Sequence, residues 1–539
     1  MTTIPNPAPP VMPAAGPRRR AVVSLLRPPV VVLPLSLASH GPTPPIGLAY
    51  IAAVLRDAGH EVQLIDGAGE AIDRCVEFES PVGTLNRIGL SATEIVGRMR
   101  RDTTVVGITN MFLHEWPQVR ELATEVRLRF PDALIVLGGE NATAFSSWML
   151  QGCTAVDCCV LGEGEATMLE IVDRHAAGRP LTGLPGVAVR TTGGVEDTGL
   201  SIRLRKPELN ALPRPAWDLV PLHNYWSRDP FFGVNRGRAM QVLGTRGCPY
   251  QCSFCSSPNM WTTKFVVRDP EDVADEIDDY VRRFGVENIN FVDLTAATNR
   301  KWTLGLCDAI EARSPGITWQ LPVGTRIEGI DREVLQRLYD TGCRNITFAP
   351  ESGSERMLDV MNKRASLSHI LESVADAHAV GLRTTVNIII GHPDERWSDV
   401  VASARFLVRA AWRGGDDTAV IMFCPYPGSA DFDALVESGR HTIDEASLYV
   451  GLSRSSRAHR TWNPSMSATQ LRVLQMALIA MFYTLTLVRR PVRILEFVRS
   501  QLTGRENTYI EQMVRTRRKR IRPDAATVPV DRVDEPASV

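Results

Sequence analysis

Three cysteines, Cys248, Cys252 and Cys255, lie close together in the segment GTRGCPYQCSFC. The segment directly follows the apolar run MQVL, which predicts a strand, and ligands of parallel sheets and barrels bind at the carboxyl ends of strands. Three thiolates on one loop can hold three irons of a cubane [4Fe–4S] cluster and leave the fourth iron open to a substrate or cofactor. The spacing therefore predicts a catalytic iron–sulfur centre.

Two other interpretations of the cysteines are weaker. A structural zinc site normally needs a second CxxC pair or a fourth Cys or His nearby. The other cysteines form no such pair; they are Cys75, Cys153, Cys158, Cys159, Cys307, Cys343 and Cys424. Three unliganded core cysteines would require a buried strand or helix, whereas this loop carries Gly247, Pro249 and Gln251.

The composition of the 539 residues excludes several classes of protein. Lys and Arg number 60 against 61 Asp and Glu, so no overall field attracts nucleic acid, and the basic run 515–520 lacks interleaved aromatics and is typical of a solvated helix end. Ten cysteines are too few for a disulfide scaffold, and prolines interrupt the N-terminal segment that a secretory signal would occupy. We therefore expect a cytoplasmic protein that does not bind nucleic acid.

Strand and helix patterns divide the chain into several units. Residues 1–20 and 523–539 are predicted tails, and 186–235 is a linker with one hairpin. Alternating strands and helices over 21–185 predict a doubly wound, Rossmann-like α/β domain. A second alternating series over 236–445 has six strands, too few for a closed eight-stranded barrel, and predicts a partial (β/α)6 barrel. Residues 446–522 are predicted to be helical.

The most apolar run of the chain is MALIAMFYTLTLV at 476–488. Its 13 residues are too few to span a bilayer. A buried helix of a C-terminal bundle is the first interpretation. Because Arg472, Arg489, Arg490 and Arg493 flank the run, a helix on a membrane surface or against an apolar substrate stays open.

The cysteine segment, with Arg246-Gly247 before it and Phe254 inside it, resembles the signature of the radical S-adenosylmethionine (SAM) superfamily. Later segments fit the same family in order: GTRIEGI, FAPESGSERML, VNIIIGHPDE and CPYPGS. The resemblance implies that Cys248, Cys252 and Cys255 hold the cluster and that SAM binds its open iron and yields a 5′-deoxyadenosyl radical. The further SAM-site residues that it implies are Phe254, Asp293, Arg326, Glu351, Ser352, Gly353 and Gly391.

The N-terminal segments PPIGLAYIAAVLRDAGHEVQLID, LGGENATA and DCCVLGEGEATMLEIV resemble the cobalamin-binding domain that precedes the barrel in the largest methyltransferase class of that superfamily. The Asp-x-His-x-x-Gly signature of an axial histidine is absent, and His60 and His114 lack its flanking residues. The resemblance implies cobalamin without a histidine ligand, held by loops at 36–47, 110–114, 139–143 and 162–165. The expected contacts are Gly138, Gly139, Glu140, Gly162, Glu163, Gly164 and Glu165. A plain strand-to-helix turn is the alternative for 162–165.

The two resemblances together imply a transferase that methylates an unactivated carbon, or a phosphorus, of a small natural-product intermediate, with antibiotic biosynthesis as the expected setting. They also imply an external one-electron reductant of the flavodoxin or ferredoxin type. Oxidative cyclisation or rearrangement without methyl transfer is the alternative within the same family. A non-catalytic iron–sulfur or cobalamin sensor is the alternative of another class. Tyr426, Trp261 and Trp302 are candidates for lining the substrate site, although packing is the commoner role of such aromatics.

Overall fold

The computed structural model describes residues 19–34, 42–228, 233–452, 460–504 and 506–521. Residues 1–18 of the predicted N-terminal tail, the predicted tail 523–539 and part of the 36–47 loop therefore lie outside the described residues. The side chains of 516–521 also lie outside them.

The N-terminal domain is built on one sheet with the order β10-β9-β8-β7-β6-β1-β3. Its strands are β1 (Val22–Arg27), β3 (Glu61–Asp66), β6 (Val105–Thr109), β7 (Leu134–Gly138), β8 (Cys158–Val160), β9 (Val187–Thr191) and β10 (Gly194–Asp197). The strands β3, β1, β6, β7 and β8 pair in parallel, and β9 and β10 extend the sheet antiparallel. The strand order reverses between β1 and β6, which places a ligand crevice at the carboxyl ends of those strands.

Helices cover both faces of this sheet, as the apolar spacing in the sequence predicts. They are α1 (Ile46–Asp57), α2 (Ala92–Gly97), α3 (Trp116–Arg129), α4 (Glu140–Gly152) and α5 (Gly164–Ala176). A small antiparallel sheet of β2 (Val30–Val32), β4 (Cys75–Ser80) and β5 (Gly83–Ile88) lies beside the domain. The short helices α6 (Lys206–Asn210) and α7 (Leu222–Trp226) then lead to the second domain.

The second domain is an open barrel of six parallel strands in chain order. They are β11 (Ala239–Val242), β14 (Asn288–Phe291), β15 (Thr318–Thr325), β16 (Cys343–Glu351), β17 (Arg383–Ile390) and β18 (Asp417–Met422). The hairpin β12 (Thr245–Arg246) and β13 (Val266–Val267) brackets the cysteine loop. The helices are α8 (Ser257–Trp261), α9 (Pro270–Phe284), α10 (Arg300–Arg313), α11 (Arg332–Asp340), α12 (Glu355–Val360), α13 (Leu367–Val380), α14 (Trp397–Trp412) and α15 (Ala430–Glu437).

In the described residues after α15, the structure has four helices: α16 (Glu445–Leu448), α17 (Ala468–Arg489), α18 (Val492–Thr503) and α19 (Tyr509–Ile521). Helix α17 lies along the edge strand β18, where Gln475 Nε2 donates to Val420 O at 2.7 Å. Tyr483 donates its hydroxyl to Asp417 at 3.0 Å, which fixes the same helix farther along the strand. The C-terminal helices therefore cover an edge that would otherwise be open to strand pairing.

Four expectations about the fold are confirmed: the α/β class, the doubly wound first domain, the six-stranded second domain and the helical C-terminal region. Three details differ from the sequence-based expectation. The hairpin expected in the linker is β9–β10, and it completes the first sheet. The hairpin β4–β5 has no counterpart in the prediction. The apolar run at 476–488 is part of a 22-residue helix, because a capping box at Ser467 starts the helix at Ala468, eight residues before the run.

Candidate functional site

The carboxyl edges of the two sheets meet, and the cysteine loop lies where they do. Glu140, directly after β7 and Gly139, accepts a hydrogen bond from the hydroxyl of Ser256, which follows Cys255. Arg246, two residues before Cys248, donates to Glu165 at the start of α5 at 2.6 Å. Both ends of the cysteine loop are thus tied to the N-terminal domain.

Asp293, at the end of β14, fixes the start of the cysteine loop. Its carboxylate accepts the Thr245 hydroxyl at 2.6 Å and the Gly244 backbone N–H at 3.2 Å. Burial raises the pKa of Asp293 to about 6, against the opposing effect of these hydrogen bonds. Gly247 has φ +83°, and a side chain there would meet the Lys264 carbonyl, so the loop can leave the strand only through a glycine.

Arg326, after β15, lies beside the cysteines. Its guanidinium is 3.6 Å from Cys252 Sγ, donates to the Arg364 carbonyl at 2.9 Å, and stacks 3.4 Å from the ring centroid of Tyr250. Burial raises the pKa of the Cys255 thiol to about 11, so metal binding must supply the energy that releases its proton. A cation at this position stabilises negative charge on the sulfurs.

Glu351, at the end of β16, has φ +68°, a region that residues other than glycine rarely adopt. Its carboxylate pairs with the buried Lys363 at 3.2 Å, and the Lys363 ammonium lies 5.9 Å from the ring centroid of Phe254. Strained backbone of this kind persists where the surrounding structure holds it, typically at functional sites. Glu351, Lys363 and Phe254 thus form one cluster beside the cysteine loop.

The segment after Glu351 packs tightly against α14. Ser352 is fully buried and accepts the Ser354 backbone N–H at 3.2 Å, and Ser354 caps α12. A Cβ on Gly353 would lie 2.6 Å from Ser403 Cα, so only glycine fits. Gly391, at the end of β17, has φ +79° and donates its N–H to Glu395 at 2.5 Å.

The N-terminal edge offers a cradle after β6 and β7. Gly139 has φ +111°, and a Cβ on it would lie 2.6 Å from the Asn110 carbonyl oxygen. Asn141 donates to Asn110 Oδ1 at 2.7 Å, while its own buried Oδ1 lacks a partner within the described part of the chain. Met111 and Phe112 are exposed at this edge. The edge thus combines an unpaired buried acceptor with exposed apolar side chains, which suits a large, partly apolar ligand.

The glycine- and glutamate-rich turn at 162–165 holds the domains together. Glu163 and Glu165 are buried and contact Arg246, and Glu163 also lies 3.7 Å from Arg203. Burial opposes ionisation of Glu165, but Arg246 outweighs it and lowers the pKa of that carboxyl. Both carboxylates, expected to contact cobalamin, are engaged by arginines instead. Gly138 and Gly164 lie at the same edge, and Gly162, with φ +86°, approaches Ser201 and the Met260 carbonyl.

Two histidines considered as cobalt ligands and one tryptophan considered for the substrate site lie in different parts of the fold. His60 is buried between α1 and β3, at the amino end of β3, where it accepts the Ala21 N–H and lies 3.2 Å from Asp173. His114 stacks on Phe112 with ring centroids 5.4 Å apart. Trp302 is buried and donates to the Arg268 carbonyl, so it packs the core.

Two family models match the chain, one after the other. The B12-binding domain model matches residues 34–172, and the radical SAM superfamily model matches residues 242–407. The range matched by the first model includes the cradle after β6 and β7. The range matched by the second includes the cysteine loop and the ends of β14 to β17. The chain belongs to the cobalamin-dependent radical SAM enzymes. Its cofactors are those of the family: a [4Fe–4S] cluster, SAM and cobalamin.

Relatives of this radical SAM enzyme include both methyltransferases and a cyclase. It is 27% identical over 386 residues to an uncharacterized methyltransferase of Pyrococcus horikoshii, covering 72% of this chain and 77% of the relative. It is 28% identical to the cytidylyl-2-hydroxyethylphosphonate methyltransferase of Streptomyces wedmorensis, covering 65% and 69%. It is 26% identical to the anaerobic magnesium-protoporphyrin IX monomethyl ester cyclase of Cereibacter sphaeroides, covering 73% and 61%.

A solved structure has the same fold. The radical SAM methyltransferase TsrM from Kitasatospora setae, determined with cobalamin and a [4Fe–4S] cluster bound, superimposes with a TM-score of 0.63. The match covers 86% of this enzyme and 89% of TsrM at 16% identity. The domain order and the meeting of the two sheet edges therefore belong to an established architecture.

The residues at each edge fit the family's cofactors. Three thiolates beside Arg326 suit a cluster, and the cradle at Gly139 and Asn141 suits cobalamin. Within the described residues, no group of three or more His, Cys, Asp and Glu side chains is placed to hold a single metal ion. A cubane takes its three thiolates on three different irons, so its ligands stand farther apart than those of one zinc ion.

Two residues of this site, Lys363 and Tyr250, have no counterpart among the residues predicted from the sequence. Lys363 pairs with Glu351, and Tyr250 stacks on Arg326. A signal existed for the first of them: only five of the 60 basic residues are lysines, so each lysine stands out in this arginine-rich chain. The contact itself depends on a turn after α12 and has no sequence pattern.

Proposed function

We propose that this enzyme methylates an unactivated carbon, or a phosphorus, of a small-molecule intermediate in natural-product biosynthesis. The observation that carries the proposal is the contact between the two carboxyl edges, made by Glu140 with Ser256 and by Arg246 with Glu165. A methyl donor on one edge and a radical source on the other must share one cavity, because the methyl group must reach the substrate at contact distance. The similarity to methyltransferases supports the same reaction.

The residues of the second domain have four roles in this proposal. Cys248, Cys252 and Cys255 would hold the cluster, which would supply the one-electron reducing chemistry that acts on SAM. Arg326 sits beside Cys252 and offsets the charge of the sulfurs. Around them, SAM contacts come from Phe254, Glu351, Ser352, Gly353 and Gly391, with Asp293 holding the loop in position.

The N-terminal edge positions the methyl carrier. Gly138 and Gly139 let the backbone approach cobalamin closely, Glu140 follows them at the same edge, and Asn141 offers its unpaired Oδ1 there. Cobalamin supplies a methyl group to the substrate when bound. No histidine ligand to cobalt is expected, since the Asp-x-His-x-x-Gly signature is absent and His60 lies at the opposite edge of the sheet.

The atom balance requires a reductant. Replacement of one substrate hydrogen by methyl consumes two SAM molecules, releases S-adenosylhomocysteine, methionine and 5′-deoxyadenosine, and takes two electrons per turnover. A flavodoxin- or ferredoxin-type protein is the proposed donor. A cytoplasmic location supplies both the reducing conditions and the donor.

An anaerobic assay of reconstituted enzyme tests the reaction. A methyltransferase yields S-adenosylhomocysteine and 5′-deoxyadenosine in step with a product that carries one more methyl group. The second candidate, oxidative cyclisation, is favoured by the similarity to the protoporphyrin cyclase. It would form no S-adenosylhomocysteine coupled to turnover. Comparing metabolites of producing cells with wild-type and Cys252→Ala enzyme would identify the substrate in either case.

A further inference from the structure

Helices α17 and α18 expose an unusual amount of apolar surface. Seventeen large hydrophobic side chains are exposed in the part of the chain that the structure describes, and nine of them lie on these two helices. We call these nine the C-terminal apolar face: Val473, Met476, Leu487, Val488, Val492, Ile494, Leu495, Val498 and Leu502. Soluble surfaces rarely gather apolar side chains in this way, and such a patch marks an interaction site.

The face is separate from the part of α17 that packs on the barrel. The buried residues of α17 are Leu471, Gln475, Leu478, Phe482 and Thr486, which recur at helical spacing toward β18 and α14. Only 28% of the 18 most apolar consecutive residues of α17 are buried. By length and composition alone, α17 could cross a membrane. Its hydrogen bonds to Val420 and Asp417 instead hold it on the barrel.

The exposed side of α17 carries no charge between Val473 and Val488. Along this stretch the exposed side chains are Val, Met, Ala, Thr and Leu, over about 22 Å of helix. After Arg489, Arg490 and Pro491, apolar positions resume on α18, where Val492, Leu495, Val498 and Leu502 recur at helical spacing. Each of the two consecutive helices therefore presents an apolar side to solvent.

Basic residues flank this apolar side. Residues 468–522 contain twelve Lys or Arg and three Asp or Glu, a net charge of +9 in a chain whose total is −1. Arg489 and Arg499 are exposed, and Arg489 lies over the ring of the exposed Trp412, 5.7 Å from its centroid. An apolar helix face with flanking arginines and an interfacial tryptophan is the pattern of helices that lie on anionic membranes.

We propose that the C-terminal apolar face docks the enzyme on the surface of an anionic lipid bilayer, with α17 and α18 lying in the plane of the interface. Charge complementarity selects this occupant, because a second copy of the chain would bring two segments of charge +9 together. The C-terminal residues 522–539 offer only valines as apolar side chains larger than alanine or proline. They are too few to cover the face.

Vesicle co-sedimentation with the full-length chain tests the proposal. We expect binding to phosphatidylcholine vesicles containing one quarter phosphatidylglycerol, with little binding to pure phosphatidylcholine and weakening in high salt. The double variant Leu495→Glu/Leu502→Glu removes apolar contact at two positions that are 69% and 82% exposed. It should bind at least about tenfold more weakly. Arg489→Glu/Arg499→Glu should lose binding to a similar extent.

Two matched controls separate docking from general effects. Leu128→Glu changes a leucine that is 75% exposed on α3, and Arg101→Glu changes an exposed arginine of the first domain. Both should bind like wild type, and all variants should keep the wild-type unfolding midpoint. Equal binding to neutral vesicles, or unchanged binding by the double leucine variant, would overturn the proposal. So would dimerisation through this face, or retention by a single-stranded oligonucleotide but not by vesicles.

Discussion

Arg246 and Glu165 form a buried ion pair at 2.6 Å that joins the two domains at the cysteine loop. Arg246 also contacts Glu163 at 3.2 Å and lies 5.3 Å from the ring centroid of Tyr50. Burial alone would lower the pKa of Arg246, but the two glutamates outweigh it and raise that pKa. Arg246, two positions before Cys248, is therefore a buried charged link between the cysteine loop and the N-terminal domain.

Breaking this ion pair is expected to destabilise the protein strongly. Arg246→Ala leaves two buried carboxylates with only Arg203 nearby, which costs about 3–5 kcal/mol by analogy with other buried pairs. The matched control is Arg56→Ala, which breaks the exposed pair with Asp218 between α1 and the linker. That change should cost about 0–1 kcal/mol. Urea unfolding of both variants measures the difference, and equal losses would show that Arg246 is not a special link.

The cysteines are expected to act as a set. Cys248→Ser, Cys252→Ser and Cys255→Ser should each lose most of the iron and sulfide after anaerobic reconstitution, because each thiolate holds a different iron. Cys75→Ser, on the exposed strand β4, is the control and should keep the full cluster. Iron analysis and visible absorption report the result. A full cluster in any of the three loop variants would remove that cysteine from the ligand set.

The fold was largely predictable because each parallel strand is a short apolar run between helices. The six barrel strands needed only this alternation, since each helix returns the chain in parallel. The β4–β5 hairpin escaped prediction although Val76 and Phe78 alternate with the exposed Glu77 and Glu79 in β4, because a period-two pattern this short is weak evidence for a strand. The length of α17 was underestimated because its polar first turns, which include Gln470 and Gln475, hide its start.

The candidate site was predictable only where spacing carries chemistry. The three cysteines met that condition. The ion pairs of Glu163 and Glu165 with Arg246 did not, because a carboxylate after a strand can equally face a ligand or an arginine from another domain. Lys363 reaches Glu351 only after a turn, a long-range contact that no local pattern encodes.

Asp417 is expected to make stability depend on pH. Burial raises its pKa in the folded protein to about 6, above the ordinary aspartate value of 3.8. The folded state therefore holds this proton more tightly than the unfolded state between those values, so stability falls as pH rises through that interval. One proton corresponds to a slope of at most about 1.4 kcal/mol per pH unit.

Asp417→Asn removes this titration, so the pH slope between about pH 4 and pH 6 should flatten. Urea unfolding at several pH values measures it, with the exposed Asp359→Asn as the control that keeps the wild-type slope. The backbone N–H of Tyr509, the first residue of α19, donates to Asp417 at 2.7 Å, so Asp417→Asn also tests the hydrogen bond that holds α19 on the barrel. An unchanged slope in Asp417→Asn would assign the pH dependence to other buried acids such as Glu395.

Gly353 tests whether the segment after Glu351 must sit directly on α14. A Cβ there would lie 2.6 Å from Ser403 Cα and from Phe406 Cβ, and 2.7 Å from the Ala402 carbonyl oxygen. Backbone cannot yield as a flexible side chain does, so Gly353→Ala must displace the segment, at a cost of about 1–3 kcal/mol. Because Glu351 lies two residues away, SAM binding to the reconstituted enzyme should weaken by about tenfold.

Gly97→Ala, at the end of α2 with no atom within 4 Å, should change neither quantity. If Gly353→Ala loses stability but binds SAM normally, the glycine serves packing alone and the segment does not position the cofactor.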